Sequence, residues 1–228
     1  MAYLLHIEST STVCSVALSE NDQLIAIKEI NNGYTHAENL HVFIKELLFE
    51  SGIETKQLNA ISVSTGPGSY TGLRIGYATA KGLAYALSIP LIIVSTLKAL
   101  TTIALQHTST DALYCPLLDA RRMEVYCAMY SNTLEEVMPV NALILNEESI
   151  FTFKKEKSVY FFGNGMPKAK ELVSVLPNIH FIEDITASAK ALLPLAYQKY
   201  VVQDFEDIAY AEPMYLKEFY FTTTQLKR

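Results

Sequence analysis

The sequence holds no tryptophan and three cysteines, Cys14, Cys115 and Cys127. An odd, sparse cysteine count with no metal-ligand spacing excludes a disulfide framework or zinc module and suits a reducing cytoplasm. Apolar runs such as residues 91–94 and 159–162 have strand length, far below a bilayer span, so no membrane association is expected. The opening MAYLLHIEST lacks a basic region and a small-residue cleavage site, and a signal peptide is not expected. Charged residues make up 18% and sum to a net charge of −6, which argues against unaided grip on RNA or an anionic membrane. Such a chain would need a basic partner to reach either.

Catalytic signatures are missing too. There is no His-Glu-x-x-His and no Gly-x-Ser-x-Gly elbow, since Gly68-Ser69 is followed by Tyr70-Thr71. None of the five histidines (His6, His36, His41, His107, His180) forms a His-x-x-x-His pair; His36 and His41 are five apart and fall on different faces of a helix. No metal site is expected, and no base is in sight for any cysteine.

What is present is 228 residues, half of them apolar, enough for a sizeable core in one large or two small domains. Their centre is the stretch STGPGSYTGLRIGYATAKGLAYAL, residues 64–87. An apolar run at 60–63 enters a turn rich in Gly and Pro (Gly66, Pro67, Gly68, Gly72), and a helix leaves it, capped by Ser69 or Thr71. Gly72, Gly76, Ala80 and Ala84 recur every four residues and share one face, with Leu73, Tyr77, Ala78, Leu83 and Leu87 as apolar surroundings. A stripe with almost no side chain admits another backbone closely, either the chain's own sheet or a partner helix. Nucleotide fingerprints fail here. Gly72 is followed by Leu73 and Arg74 rather than by Lys and Ser/Thr, and Thr71 stands where the dinucleotide pattern needs its third Gly.

In order, the pattern predicts strands at 3–7 and 13–18 joined by a polar turn, and a third strand at 23–30. A helix follows, entered through a Thr35–Glu38 capping box and closed by Gly52, with Leu40, Phe43, Ile44, Leu47 and Leu48 as its apolar positions. After the glycine-turn helix come a strand at 91–94 and a helix from Thr96 to about Gln106 capped by Ser95 or Thr96. Then the opening repeats: residues 118–129 align without gaps on residues 7–18, 111 positions earlier, each with an acid at the strand end (Glu8, Asp119). Further strands are expected in 134–145, at 158–162 and at 179–182. Helices are expected near 147–156, at 173–176 and over 188–202, where Pro194 marks a kink or a first turn. Residues 211–217 read as extended around Pro213.

Two hairpin-led α/β halves, 1–108 and 109–228, resemble the actin/hexokinase/heat-shock ATPase superfamily, with duplicated ribonuclease-H-like halves of mixed sheets flanked by helices. That resemblance implies acidic strand ends facing a cleft that holds metal and nucleotide phosphates, here Glu8, Ser9, Thr10 and Asp119. Two solvated strand-end acids are the simpler reading. One alternative function follows: a nucleotide-dependent enzyme, such as a small kinase or ATPase, using Glu8 and Asp119. Against it, Gly163-Asn164-Gly165 is the one late glycine pair available for adenine, and a turn explains it as well.

More closely, STGPGSYTGLRIG, LLHIESTSTVCSVAL, LLDARRMEVYCAMY, FGNG and AEPMYLK together resemble the TsaB (YeaZ) family, over residues 4–217. The resemblance implies a noncatalytic scaffold for the paralogous catalytic subunit TsaD, which makes N6-threonylcarbamoyladenosine in tRNA, with the ATPase TsaE docking on the pair. It implies no cofactor of its own, ATP or ADP in the assembled complex alone, tRNA contact through that complex, and a homodimer when TsaD is absent. Glu8 departs from the family's usual Asp. The family's contact helices correspond to residues 35–50 and 72–87. The interface is therefore expected on Leu40, Phe43, Ile44 and Leu47 of the first, and on Leu73, Arg74, Gly76, Tyr77, Ala80, Lys81 and Ala84 of the second, with Tyr70 beside them. Gly76→Leu is expected to disrupt dimerisation more than folding.

Overall fold

The structure, a computed structural model, describes every residue except Tyr34, Ser109 and residues 217–228. The chain builds two five-stranded mixed sheets of one topology. Strands β1 (Tyr3–Glu8), β2 (Val13–Glu20), β3 (Gln23–Asn31), β4 (Leu58–Gly66) and β5 (Leu91–Ser95) lie in the order β3-β2-β1-β4-β5. Strands β6 (Leu113–Asp119), β7 (Glu124–Tyr130), β8 (Glu136–Ile144), β9 (Val159–Phe162) and β10 (Ile179–Phe181) repeat it as β8-β7-β6-β9-β10. In each, an antiparallel three-stranded meander continues into two parallel strands. This is the duplicated ribonuclease-H-like architecture of mixed sheets flanked by helices expected from the repeat. The gapless repeat is thus a structural one, with Glu8 and Asp119 ending the equivalent strands β1 and β6.

Central strands are apolar on both faces because both are covered. Helices α1 (His36–Ser51) and α2 (Tyr70–Leu87) cover one face of the first sheet, burying Leu40, Ile44, Leu47, Tyr77, Ala80 and Ala84. On the other face lie α3 (Thr96–His107), a 3-10 turn at Ala189–Leu192 and α6 (Leu193–Val201). Helix α3 also packs on the second sheet, so it is shared by the two cores. The short α4 (Ile150–Phe153) and α5 (Met166–Val173) close the second sheet's outer face. The segment from Ser188 onward returns to the first sheet: Ala189 N–H donates to Ser15 Oγ at 3.0 Å, and Ser188 Oγ donates to Glu29 at 2.7 Å.

Local expectations mostly stand, with exceptions of identifiable cause. Ser69 and Ser95 cap α2 and α3 through their hydroxyls, and Gly52 ends α1 in the left-handed conformation. The Thr35 capping box does not form: with ψ at 20° rather than extended, the Thr35 hydroxyl makes no cap hydrogen bond. The helix expected at 147–156 shrinks to four residues, because Asn146 and Ser149 exchange side-chain and backbone bonds that compete with helix. The helix placed at 173–176 instead runs over Met166–Val173, with Pro167 in its first turn. Residues 188–202 split into the 3-10 turn and α6, where Pro194 occupies the first turn. Lys217, the end of the expected extended tail, lies outside the described residues.

Candidate partner-binding face and the occupied cleft

The glycine turn is built against the chain's own first hairpin. A Cβ placed on Gly68 would lie 2.4 Å from the Thr10 carbonyl oxygen, and one on Gly72 would lie 2.0 Å from that of Ser9. On Gly76 it would lie 2.2 Å from Ser9 Oγ. Hydrogen bonds lock the approach: Ser69 N–H donates to the Thr10 carbonyl at 2.7 Å, and Ser9 Oγ donates to the Gly72 carbonyl at 2.9 Å. The small-residue stripe is therefore the seat of the β1–β2 turn.

This corrects the expected interface. Gly76, Ala80 and Ala84 are buried in the chain's own core, as are Leu73 and Tyr77 of α2 and Leu40, Ile44 and Leu47 of α1; Phe43 is half-buried. A four-residue spacing names a helix face but not the direction it points. Here a helix crossing tightly over the β1–β2 turn needs its smallest side inward. Tyr70, Arg74 and Lys81 do reach the surface. Arg74 lies 4.9 Å over the Tyr70 ring, and Tyr70 meets Tyr215 at 5.1 Å. Lys81 Nζ donates to the Ala211 carbonyl at 3.0 Å, holding the C-terminal strap along α2.

The outward side of these helices carries Ala78, expected only as part of the stripe's apolar surroundings, and residues not expected at an interface. On α2 it holds Ala78 and Gly82, and a Cβ on Gly82 would meet nothing within 4 Å. Around them stand Tyr85, 79% exposed, and on α1 Phe49 and Val42, 85% and 47% exposed. The signal was available: Val42 and Phe49 lie a helix half-turn away from Leu40 and Leu47 and are too apolar for a solvated side. Charge is divided as well. The only charged residues of α2 are Arg74 and Lys81, whereas α1 carries Glu38, Glu46 and Glu50 beside Lys45, with Glu46 and Glu50 paired to Lys28 of β3. A groove of about 480 Å³ runs beside them, lined by His41, Ile44, Lys45, Leu48, Ile53 and Leu83.

The cleft residues have other commitments. Glu8 is buried, accepting hydrogen bonds from Thr10 N–H at 2.7 Å, from Thr10 Oγ1 and from Ser64 Oγ. Burial pushes its carboxyl above the ordinary value of 4.5, against the pull of those hydrogen bonds. Ser9 and Thr10 are buried with it. Asp119 is exposed but pairs with Lys168 at 2.5 Å, and its Oδ1 also accepts from Arg121 N–H at 2.6 Å. The Asn164 side chain of the Gly163-Asn164-Gly165 turn accepts from Asp119 N–H at 2.9 Å, so this turn braces β6. Among the described residues, no three His, Cys, Asp or Glu side chains gather as a metal site. All three cysteines are buried, with their thiols pushed up by desolvation, Cys14 to about 11 and Cys127 to about 12. His6, also buried, is held down at about 3 by desolvation. Ser19 Oγ gives its proton to the Asn21 carbonyl, so it accepts from His6 Nε2, and Nδ1 accepts from Ser62.

Comparison with known proteins gives these positions a context. The family model described as "TsaD: tRNA N6-adenosine threonylcarbamoyltransferase" matches residues 31–214. The tRNA threonylcarbamoyladenosine biosynthesis protein TsaB of Bacillus subtilis is 32% identical over 173 residues, 75% of this chain and 74% of that protein. TsaB of Escherichia coli is 28% identical over 222 residues, 94% of each. Among solved structures, YeaZ from Pseudomonas aeruginosa superposes with a TM-score of 0.82 at 26% identity, covering 95% of this chain and 100% of that one.

Proposed function

The chain belongs to the TsaB (YeaZ) family within the TsaD-type proteins, and from that premise we propose that it is a noncatalytic scaffold of the assembly that makes N6-threonylcarbamoyladenosine in tRNA. In this reading it binds and activates a TsaD-like catalytic subunit, and a TsaE-like ATPase docks on the pair. Alone in the cytoplasm it pairs with itself, and it meets tRNA and nucleotide within the complex.

The observation that carries the proposal is the occupied first hairpin. A phosphate-binding version needs free backbone donors and a reachable carboxylate at the β1–β2 turn. Here Gly68, Gly72 and Gly76 press on that turn, and Glu8 faces inward onto Thr10 and Ser64. The exposed side of α1 and α2 supports the partner role. Phe49, Val42 and Tyr85 supply apolar contact, and Ala78 with Gly82 admits a close helix. A two-fold arrangement would bury this same side of both copies, apolar residues against apolar residues. A paralogous subunit of the same fold would use the same side.

The test is threonylcarbamoylation of tRNA in a reconstituted mixture of TsaD, TsaE and a threonylcarbamoyl donor with and without this chain, with ATP hydrolysis by the chain alone read in parallel. Modification that requires the chain, with no turnover by the chain itself, is the expected result. ATP hydrolysis by the chain alone, abolished by Glu8→Ala or Asp119→Ala, would overturn the scaffold in favour of a nucleotide-dependent enzyme.

A further inference from the structure

The β6–β7 hairpin turns on two arginines in an unusual backbone state. Arg121 and Arg122 have φ of 66° and 48°, the left-handed region that hairpin turns ordinarily fill with Asn and Gly. Such a conformation persists in bulky residues when the surroundings over-determine it, and it is a pointer to function. The surroundings do hold it. Lys168 Nζ donates to the Arg122 carbonyl while pairing with Asp119, and Asp119 in turn accepts from Arg121 N–H. Ala120 N–H closes the turn on the Glu124 carbonyl at 3.1 Å.

The backbone is tied, and of the two guanidinium groups that of Arg121 lies near enough to Tyr126 for its charge to act on the phenol. Both arginines are exposed, and among the described residues neither forms an ion pair. Six of the described lysines are matched to carboxylates (Lys28, Lys56, Lys157, Lys168, Lys170 and Lys199), the other six and Arg74 are not, and what sets the two arginines apart is their adjacency on a fixed turn. Asp119, whose carboxylate accepts from the Arg121 backbone, is already committed to Lys168. Two permanently charged planar forks thus stand side by side on a fixed hairpin tip, without a carboxylate paired to them among the described residues, in a chain of net charge −6.

We propose that Arg121 and Arg122 form a contact for the phosphodiester backbone of RNA, through which this chain itself touches the tRNA. Guanidinium groups bind phosphate bidentately, and a hairpin tip suits a chain of phosphates running past it better than a ligand that must be enclosed. Two contacts on an acidic protein give little affinity alone, so the site acts within the assembly; the inference rests on the scaffold reading.

The test compares wild type, Arg121→Asn/Arg122→Gly and the charge-matched control Lys56→Ala/Lys157→Ala, each assembled with the TsaD-like and TsaE-like subunits. Assembly is followed by sedimentation, thermal stability by circular dichroism, and binding of a labelled anticodon stem-loop RNA by anisotropy over a range of salt. Asn and Gly suit the left-handed turn, so the arginine variant melts no lower than wild type, and a merely structural role predicts unchanged RNA binding. The expected result is weaker binding with a slope of log K against log salt shallower by about 1.5, two contacts at roughly 0.7 to 0.9 each, and an unchanged slope for the control. Identical slopes in intact assemblies overturn the inference. So does loss of the TsaD-like subunit from the arginine variant, which would make the tip a protein contact. Inorganic phosphate that erases the difference between wild type and variant at matched ionic strength would reassign the site to free phosphate. Failure of wild type to assemble overturns the scaffold reading, and this inference with it.

Discussion

Replacing Gly72 with alanine adds one methyl group at the tightest of the chain's glycine positions. That methyl would sit 2.0 Å from the Ser9 carbonyl oxygen, where ordinary contact begins at 3.4 Å, and the obstacle is backbone rather than a flexible side-chain end. Helix α2 and the β1–β2 turn must therefore separate by well over an ångström. The separation breaks the Ser9 Oγ bond to the Gly72 carbonyl and strains that of Ser69 N–H to Thr10. Overpacking costs about 1–3 kcal/mol and each buried hydrogen bond about 1 kcal/mol, while alanine returns about 1 kcal/mol of helix propensity. The net loss is about 2–4 kcal/mol, a fall in Tm of roughly 4–16 °C for a chain of this size. Gly82→Ala is the control: nothing lies within 4 Å of the new Cβ, so the same substitution ten residues on should stabilise by about 0.5–1 kcal/mol. Urea midpoints with m-values, beside thermal melts followed by circular dichroism, measure both. If Gly72→Ala melts within about 2 °C of wild type and loses only self-association, the stripe is a free surface and the reasoning fails.

Further outcomes follow from the same geometry. Ala78→Arg on the outward side of α2 should leave the urea midpoint within about 0.5 kcal/mol of wild type but abolish self-association and capture of a TsaD-like subunit in sedimentation velocity; a folded variant that still associates would move the interface elsewhere. His6 is held neutral, its pKa lowered from 6.5 to about 3, so the unfolded chain takes up the proton first. Stability should fall as pH drops below 6.5, by up to about 1.4 kcal/mol per unit, and His6→Gln should remove that component of the urea midpoint against pH. Glu8 has the opposite sign. With its pKa raised above 4.5, the native state holds the proton longer, so stability is lost as pH rises from 4.5 through the raised value. Glu8→Gln should flatten that fall, read as the difference from wild type because His6 acts oppositely between pH 4.5 and 6.5; a variant curve parallel to wild type would mean that Glu8 is solvated.

Local chemistry was readable in the chain where one short-range rule decides the outcome. The turn through Gly66, Pro67 and Gly68, the Ser69 and Ser95 caps, the Gly52 stop and the first turn at Pro194 each depend on a residue's own backbone and its nearest neighbours. The repeat of residues 7–18 at 118–129 went further, because two hairpins of the same pattern imply two sheets of the same order. The spacing of Gly72, Gly76, Ala80 and Ala84 likewise determined that something approaches that side of α2 closely. What approaches was decided only in three dimensions. The β1–β2 turn, some sixty residues earlier in the chain, fills the stripe, and this rotates Ala78, Gly82 and Tyr85 outward. The return of residues 188–216 to the first sheet and the inward aim of Glu8 are of the same kind. Periodicity fixes which residues share a side of a helix, but the direction that side faces depends on the elements packed beside it, and those contacts join residues far apart in the chain.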